Sequence, residues 1–487
     1  MSAGSGAWRL ARHRSPVEER PAAVSRSRSS WDWGLAAATS ASIAGFAWIL
    51  STQLRLMNSL SAPAWDLAYD HNVIWNTAQG RWFETSFATR NFLGIHFEPI
   101  MALIAVVERF WPHPAALLIF GAAGLAAAGP AAYLMIGALL PERPGVRWLA
   151  AALGVPLPYW VAVQEAAGDQ FHPENLALAL ALFAAWAGIR GHRKLMWACA
   201  VLVLCCKEDQ VYTLATLGLL VISRGAPQLK VDGRRLIALS VAWLVIVTGI
   251  VQQIIRSGGY SDFVYYRWLL QPTALGIMQA LDRPEALRIL AVALASLFCL
   301  PLLAPRWLLL VIPPYLADVL SGHIPENDLH LHYVLILMFP LVVAGAIGAS
   351  RLLARVDLRG PILLAAAVPG LVLGYGMGRL PPDLRSATLL YGRTDAVAQL
   401  MGAKQAVPAS APVEADDCLA VWFADRRVIN DFPDKLDPSR YVVIDRQDCQ
   451  TGHVSGQKRA QALAQLGSDG RQLLYDDGRF EVWSPAP

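Results

Sequence analysis

Residues 114–140 form an unbroken run without one charged side chain, and residues 36–54 form another. A helix through either is long enough to cross the ~30 Å hydrocarbon core of a bilayer. Further apolar runs lie at 147–164, 174–190, 235–256, 288–303, 306–320, 332–350 and 361–379. Burying so much apolar length in one soluble core would leave too little polar surface to face water. Composition agrees, since only 16% of the 487 residues are charged and 55% are hydrophobic, against about a quarter charged in ordinary soluble domains. A soluble enzyme is excluded. The net charge of +4 and the absence of a basic, aromatic-studded stripe also exclude nucleic acid as a partner.

The stretch 195–222 is interrupted by Lys207-Glu208-Asp209 and flanked by basic clusters, Arg190–Lys194 before it and Arg224–Arg235 after it. If both clusters are cytoplasmic, the segment enters the membrane and returns, with 207–209 at the apex. Counting its arms separately, about eleven hydrophobic segments are expected. The expected fold is an α-helical polytopic membrane protein. Its N-terminus is cytoplasmic, because Arg143/Arg147, Arg190–Lys194, Arg224–Arg235, Arg306 and Arg351/Arg355/Arg359 fall on alternate connections, as the positive-inside rule requires.

Three regions follow. Residues 1–33 form an Arg-rich polar tail expected to be disordered and cytoplasmic. Residues 34–380 form the transmembrane domain, with a first outer loop at 57–113. Residues 381–487 regain charge and short alternating runs (Cys418–Phe423, Tyr441–Ile444, Phe480–Trp483), which predict a small extracytoplasmic α/β domain. Cys418 and Cys449 both fall there, where an oxidising compartment permits a disulfide. Cys199, Cys205, Cys206 and Cys299 lie in the membrane part as packing residues.

The polar residues that stand out fall on the outer side. Asp66 and Asp70, four apart, share one helix face; they suit a general base or a cation, and equally a wetted helix start. His96-Phe97-Glu98-Pro99 and Phe171-His172-Pro173-Glu174 echo each other. Proline and glutamate in a first turn explain half of each motif. The histidines make His96, Glu98, His172 and Glu174 a candidate ligand set for a divalent cation, Mg or Mn. Lys207, Glu208 and Asp209 at a membrane apex mark a site or a buried ion pair. Arg267, amid Tyr260, Asp262, Tyr265, Tyr266 and Trp268, suits a phosphate beside a stacked sugar ring, or an interfacial belt. His323, Glu326, Asp328 and His330 lead into His332 and Tyr333, further candidates for substrate binding.

Taken in order, Trp65-Asp66 through Gly80, Asn91–Pro99, Phe171–Glu174, Cys206–Asp209, His332-Tyr333 with Pro340, and in the tail Asn430–Pro433 and Tyr441–Asp445 resemble the bacterial membrane-protein family DUF2079. That family carries no assigned reaction, and its layout is similar to GT-C glycosyltransferases. Where the family often has Gly-Asp-His, this chain has Gly94-Ile95-His96. The resemblance implies a multi-pass protein of the bacterial cytoplasmic membrane that moves a sugar from a polyprenyl-phosphate donor, or a related lipid, to an envelope glycan or protein acceptor. Asp66 would be the catalytic acid of the first outer loop and Asp70 its neighbour. The alternatives are a transporter or flippase of a lipid-linked or anionic substrate, with Lys207-Glu208-Asp209 as its ion-coupling group, and a non-catalytic envelope scaffold.

Overall fold

Long helices form where apolar sequence holds at most a single interior proline, as at Pro130 and Pro340, and closely spaced prolines elsewhere cut apolar runs into short helices. The computed structural model describes residues 32–487 apart from 61, 63, 89–90, 143–145, 257–261, 357–359, 381–393 and 448–455. The Arg-rich tail up to residue 31, Arg143, Tyr260, Arg359 and Cys449 therefore lie outside the described residues. The chain is mostly helical, and among the described residues four helical stretches are long and apolar enough to cross a membrane: Trp33–Asn58, Ala115–Leu139, Pro227–Arg256 and Ile324–Arg355.

That corrects the expectation of about eleven segments. Residues 147–164 break at Pro156 and Pro158 into Arg147–Gly154, a 3₁₀ turn at Leu157–Tyr159 and Val161–Gly168. An eight-residue helix spans only ~12 Å. Residues 288–320 break likewise, with Pro284–Ser296 followed by Pro305–Leu308 and Ile312–Val319. Proline lacks the amide proton a helix interior needs and clashes with the preceding turn. Of these pieces, Val161–Gly168 and Ile312–Val319 each put one residue, Gly168 and Asp318, on an internal cavity.

Burial sorts the long helices. Within their most apolar windows, 22% of Trp33–Asn58 and 17% of Pro227–Arg256 is buried inside the protein, against 89% of Ile324–Arg355. Val241, Val245, Ile246, Ile250 and Ile254 of the second helix face outward, an apolar surface that water would penalise and a lipid environment accepts. Ile324–Arg355 is the central post.

The stretch 195–222 is two helices, Arg193–Leu204 and Val211–Arg224, joined through Lys207 and the turn Glu208–Gln210. The Ala226 amide donates to Gly188 O (3.1 Å), and Arg193 reaches Asp232 across 2.9 Å. The hairpin thus begins and ends at one side, with both flanking basic clusters, and puts its apex at the other.

The C-terminal region builds a five-stranded sheet in the order β2-β1-β3-β5-β4, with β1 Val413–Ala415, β2 Ile429–Asp431, β3 Tyr441–Asp445, β4 Leu473–Asp476 and β5 Phe480–Trp483. β1 runs parallel to both β2 and β3, while β5 runs antiparallel to β3 and β4. Cys418–Phe423, expected as a strand, lies instead in the 3₁₀ segment Asp417–Phe423, whose residues are all buried. An apolar run buried all round carries no alternation, so its period cannot separate strand from helix. Cys418 is disulfide-bonded, whereas Cys199, Cys205, Cys206 and Cys299 are free thiols, Cys299 exposed.

Candidate functional site

The first loop is held between membrane helices and sheet domain. After Trp33–Asn58 the chain makes a π-helical turn, Ala64–Ala68, that runs into the helix Tyr69–Ala78. The Ala64 amide donates to Asp417. Asn72 Nδ2 donates to the carbonyls of Ala424 (3.2 Å) and Arg426 (2.8 Å), and Ser86 and Asn430 tie the loop to β2. These bonds fix the direction of the helix face that carries Asp66 and Asp70.

That face lines a cavity of about 1190 Å³. Thr52 and Leu56 of the first long helix, Thr248 of Pro227–Arg256 and Lys435 beside the sheet also line it. One wall is acidic: Asp66, Asp70, Glu98 and Asp169. Burial, then the carboxylates of Asp169, Asp70 and Asp417, hold the Asp66 carboxyl well above the ordinary range, with Arg379 opposing. Asp70, only 5% exposed, is raised by burial first and then by Glu174, with His96 and Lys207 opposing. Asp70 Oδ2 and Glu98 Oε2 are buried without a hydrogen-bond partner, a costly state unless something in the cavity satisfies them.

The hairpin apex contributes to the lining as well. Lys207 Nζ donates to Glu174, whose helix Glu174–Arg190 begins behind the cavity, and stands 5.5 Å from the centre of the Tyr333 ring. Glu208 turns the other way. Its Oε2 accepts from the Phe97 amide (2.6 Å) and its Oε1 lies 3.3 Å from His96 Nδ1. From the other flank, Arg256 Nε donates to Gly94 O (2.9 Å) and Gln252 Nε2 to Ile95 O (3.1 Å). Gly94 is needed here because a Cβ would sit 3.0 Å from the Arg256 backbone nitrogen. The loop Gly94–Phe97 is thus clamped between two helical segments, with His96 at the cavity wall.

Asp169, His172 and His332 form a third group. Their donor atoms all lie within 4.8 Å of one another, and the two imidazoles stack with centroids 3.8 Å apart. Burial and the neighbouring His332 pull the His172 imidazole down to about 3, so it stays neutral with a lone pair to offer.

The sequence matches, over residues 56–468, the family described as "Predicted membrane protein (DUF2079)". The chain belongs to this family. No curated protein matches it.

In this DUF2079 chain the separated motifs converge. Asp66, Asp70, His96, Glu98, His172, Lys207, Glu208, Asp209, His332 and Tyr333 all line the one cavity. Glu174 does not; it lies behind the wall, engaged by Lys207. The four expected metal ligands do not assemble, because His96 is taken by Glu208 and Glu174 by Lys207. Arg267 is exposed and does not line the cavity. Cations reach it instead from Arg256, Arg379 and Lys435, which sequence reading missed. Arg256 and Arg379 end apolar runs, where a basic residue looks like an interface anchor. Asp169 was also missed, although its i,i+3 spacing to His172 was a usable signal, as was Asp318, an acid within the apolar run 306–320 that also lines the cavity.

Proposed function

We propose that this DUF2079 protein is a GT-C-like membrane glycosyltransferase that passes a sugar from a polyprenyl-phosphate donor to an envelope acceptor on the outer face of the bacterial cytoplasmic membrane. One observation carries the reading: a single cavity joins a pair of carboxylates, half-buried Asp66 and buried Asp70, to the cations Lys207, Arg256 and Arg379. Its volume of about 1190 Å³ is above the ~300–1,000 Å³ typical of single-ligand pockets, which suits two reacting ends. The two long helices that contribute to its lining expose apolar side chains elsewhere along their length, which a prenyl chain can lie along. The cavity is at the hairpin's apex end, away from its basic flanks, which supports an outer-face site with the sheet domain outside.

In this reaction the acceptor hydroxyl oxygen attacks the sugar's anomeric carbon as the bond to the phosphate oxygen breaks. Asp66 takes the hydroxyl proton, and its raised proton affinity makes it a stronger base than an exposed aspartate. The lipid phosphate leaves with the bonding electrons, opposite Arg256, Arg379 and Lys207. Tyr333 and Trp65 offer rings to the sugar.

The test is transfer of labelled sugar from polyprenyl-phosphate donors to envelope extracts by the protein in nanodiscs. Asp66→Asn should lower it by about 10²–10⁴-fold, the usual worth of a general base. Undiminished transfer by that variant would remove the role given to Asp66. Movement of the lipid across vesicles without covalent change would replace the enzyme by a transporter.

A further inference from the structure

The Asp169, His172 and His332 group is built from two separate elements. Asp169 caps the end of Val161–Gly168, and His172 lies three residues on, just before Glu174–Arg190 begins. His332 comes from the turn Leu331–Val334 that opens the central helix Leu335–Arg355. Asp169 Oδ2 is 2.6 Å from His332 Nδ1 and 3.5 Å from His172 Nδ1. The first is a hydrogen bond that an ion would have to replace; the second is of the order that separates two ligands bonded at about 2.0–2.2 Å to one tetrahedral ion.

The chemistry of the set is specific. Two imidazole nitrogens and one carboxylate oxygen form a borderline donor set that suits zinc-class ions, whereas Mg²⁺ prefers all-oxygen octahedra. Support behind the ligands is present as well. His332 Nε2 lies 3.6 Å from Glu174 Oε1, and Glu174 is itself anchored by Lys207, the outer-shell carboxylate arrangement that orients ligating histidines. His172 Nδ1 is buried with no hydrogen-bond partner, a costly state that a bound cation would relieve. All three residues line the cavity, so a fourth coordination position would open to substrate or water.

We propose that Asp169, His172 and His332 bind one zinc-class divalent ion at the cavity wall. The ion differs from the Mg or Mn expected from sequence, and so do its ligands, which share only His172 with the set expected there. The proposal stands whether or not the protein transfers sugars.

The test uses the full chain in detergent, stripped with a chelator, reloaded with Zn²⁺ and dialysed, with metal counted by elemental analysis. Wild type should retain about one zinc per chain, and Co²⁺ should give the visible bands of a low-coordinate N/O site. His172→Ala and His332→Ala should each weaken retention by at least ~10-fold, with elution profile and melting temperature of the stripped proteins showing them folded. His96→Ala, in the same cavity but outside the set, should retain zinc as wild type does. Less than about a tenth of a zinc per folded wild-type chain, or equal retention by wild type and both histidine variants, would overturn the proposal. If the alanine variants do not fold, His332→Cys decides: a thiolate is a good zinc ligand, so failure to retain zinc in that folded variant counts against the site.

Discussion

Replacing Lys207 with methionine should cost more than any other single change at the cavity wall. Methionine keeps most of the aliphatic volume and removes the charge. The Lys207 and Glu174 side chains are only 10% and 4% exposed, so neither loses its partner to water. Glu174 Oε2 is already without a hydrogen-bond partner; removing the cation leaves the buried Glu174 carboxylate uncompensated. Breaking a buried pair from one side costs about 3–5 kcal/mol. Replacing both sides is far cheaper, so Glu174→Gln with Lys207→Met should lie within about 1–2 kcal/mol of wild type. SDS titration in mixed micelles, followed by tryptophan fluorescence for wild type, both singles and the double, gives the coupling energy. A Lys207→Met variant within ~0.5 kcal/mol of wild type, or singles that simply add to the double, would refute the reasoning. The folded double variant also informs the chemistry: if it no longer transfers sugar, Lys207 acts on substrate as well as on Glu174.

Two further outcomes concern other parts of the molecule. Burial, with Asp417 and Asp416 close by, pushes the Asp431 carboxyl up to about 8, while an unfolded chain releases that proton near 3.9. The folded state therefore holds the extra proton between those values, so stability falls as pH rises through that window and levels off above it. Melting scans of wild type should show a lower transition at pH 8 than at pH 5, and Asp431→Asn should lose part of that slope, Asp66 and Asp70 supplying more of it; a slope equal to wild type would remove Asp431 as a contributor. In the central helix, a Cβ on Gly348 would come within 1.9 Å of the Leu300 carbonyl oxygen, a backbone atom that cannot rotate away. Gly348→Ala should cost about 1–3 kcal/mol. Gly345→Ala meets side chains, Leu297 at 3.2 Å and Pro301 at 3.7 Å, and should cost less, which the same SDS titration checks.

Much of the site was legible because ionisable residues are rare in apolar sequence, and each one draws attention there. Asp66, His96, His172, Lys207 and His332 stood out for that reason, and all line the cavity. What spacing could not show was pairing. Glu174 and Glu208 look alike in sequence, yet one takes Lys207 and the other holds the Gly94–Phe97 loop. Arg267 and Arg379 are both basic residues beside apolar runs, and only Arg379 reaches the cavity. The overcount of spanning segments has a similar origin. Hydropathy reads total apolar length, whereas the prolines at 156, 158, 301, 305, 313 and 314 divide that length into pieces the membrane cannot use as spans.

By itself the amino-acid order determined that this chain belongs in a membrane, that its C-terminal part differs in character, and which few polar residues had to be explained. Those are one-dimensional properties, since transfer free energy sums along a segment and turn chemistry is local. Only the tertiary structure decided that five separated motifs share one cavity, that the first loop is braced by the sheet domain, and that Asp169 joins His172 and His332. Those outcomes depend on distances between residues up to hundreds of positions apart. Coulomb and hydrogen-bond energies are set by those distances and by burial, neither of which is written in spacing along the chain.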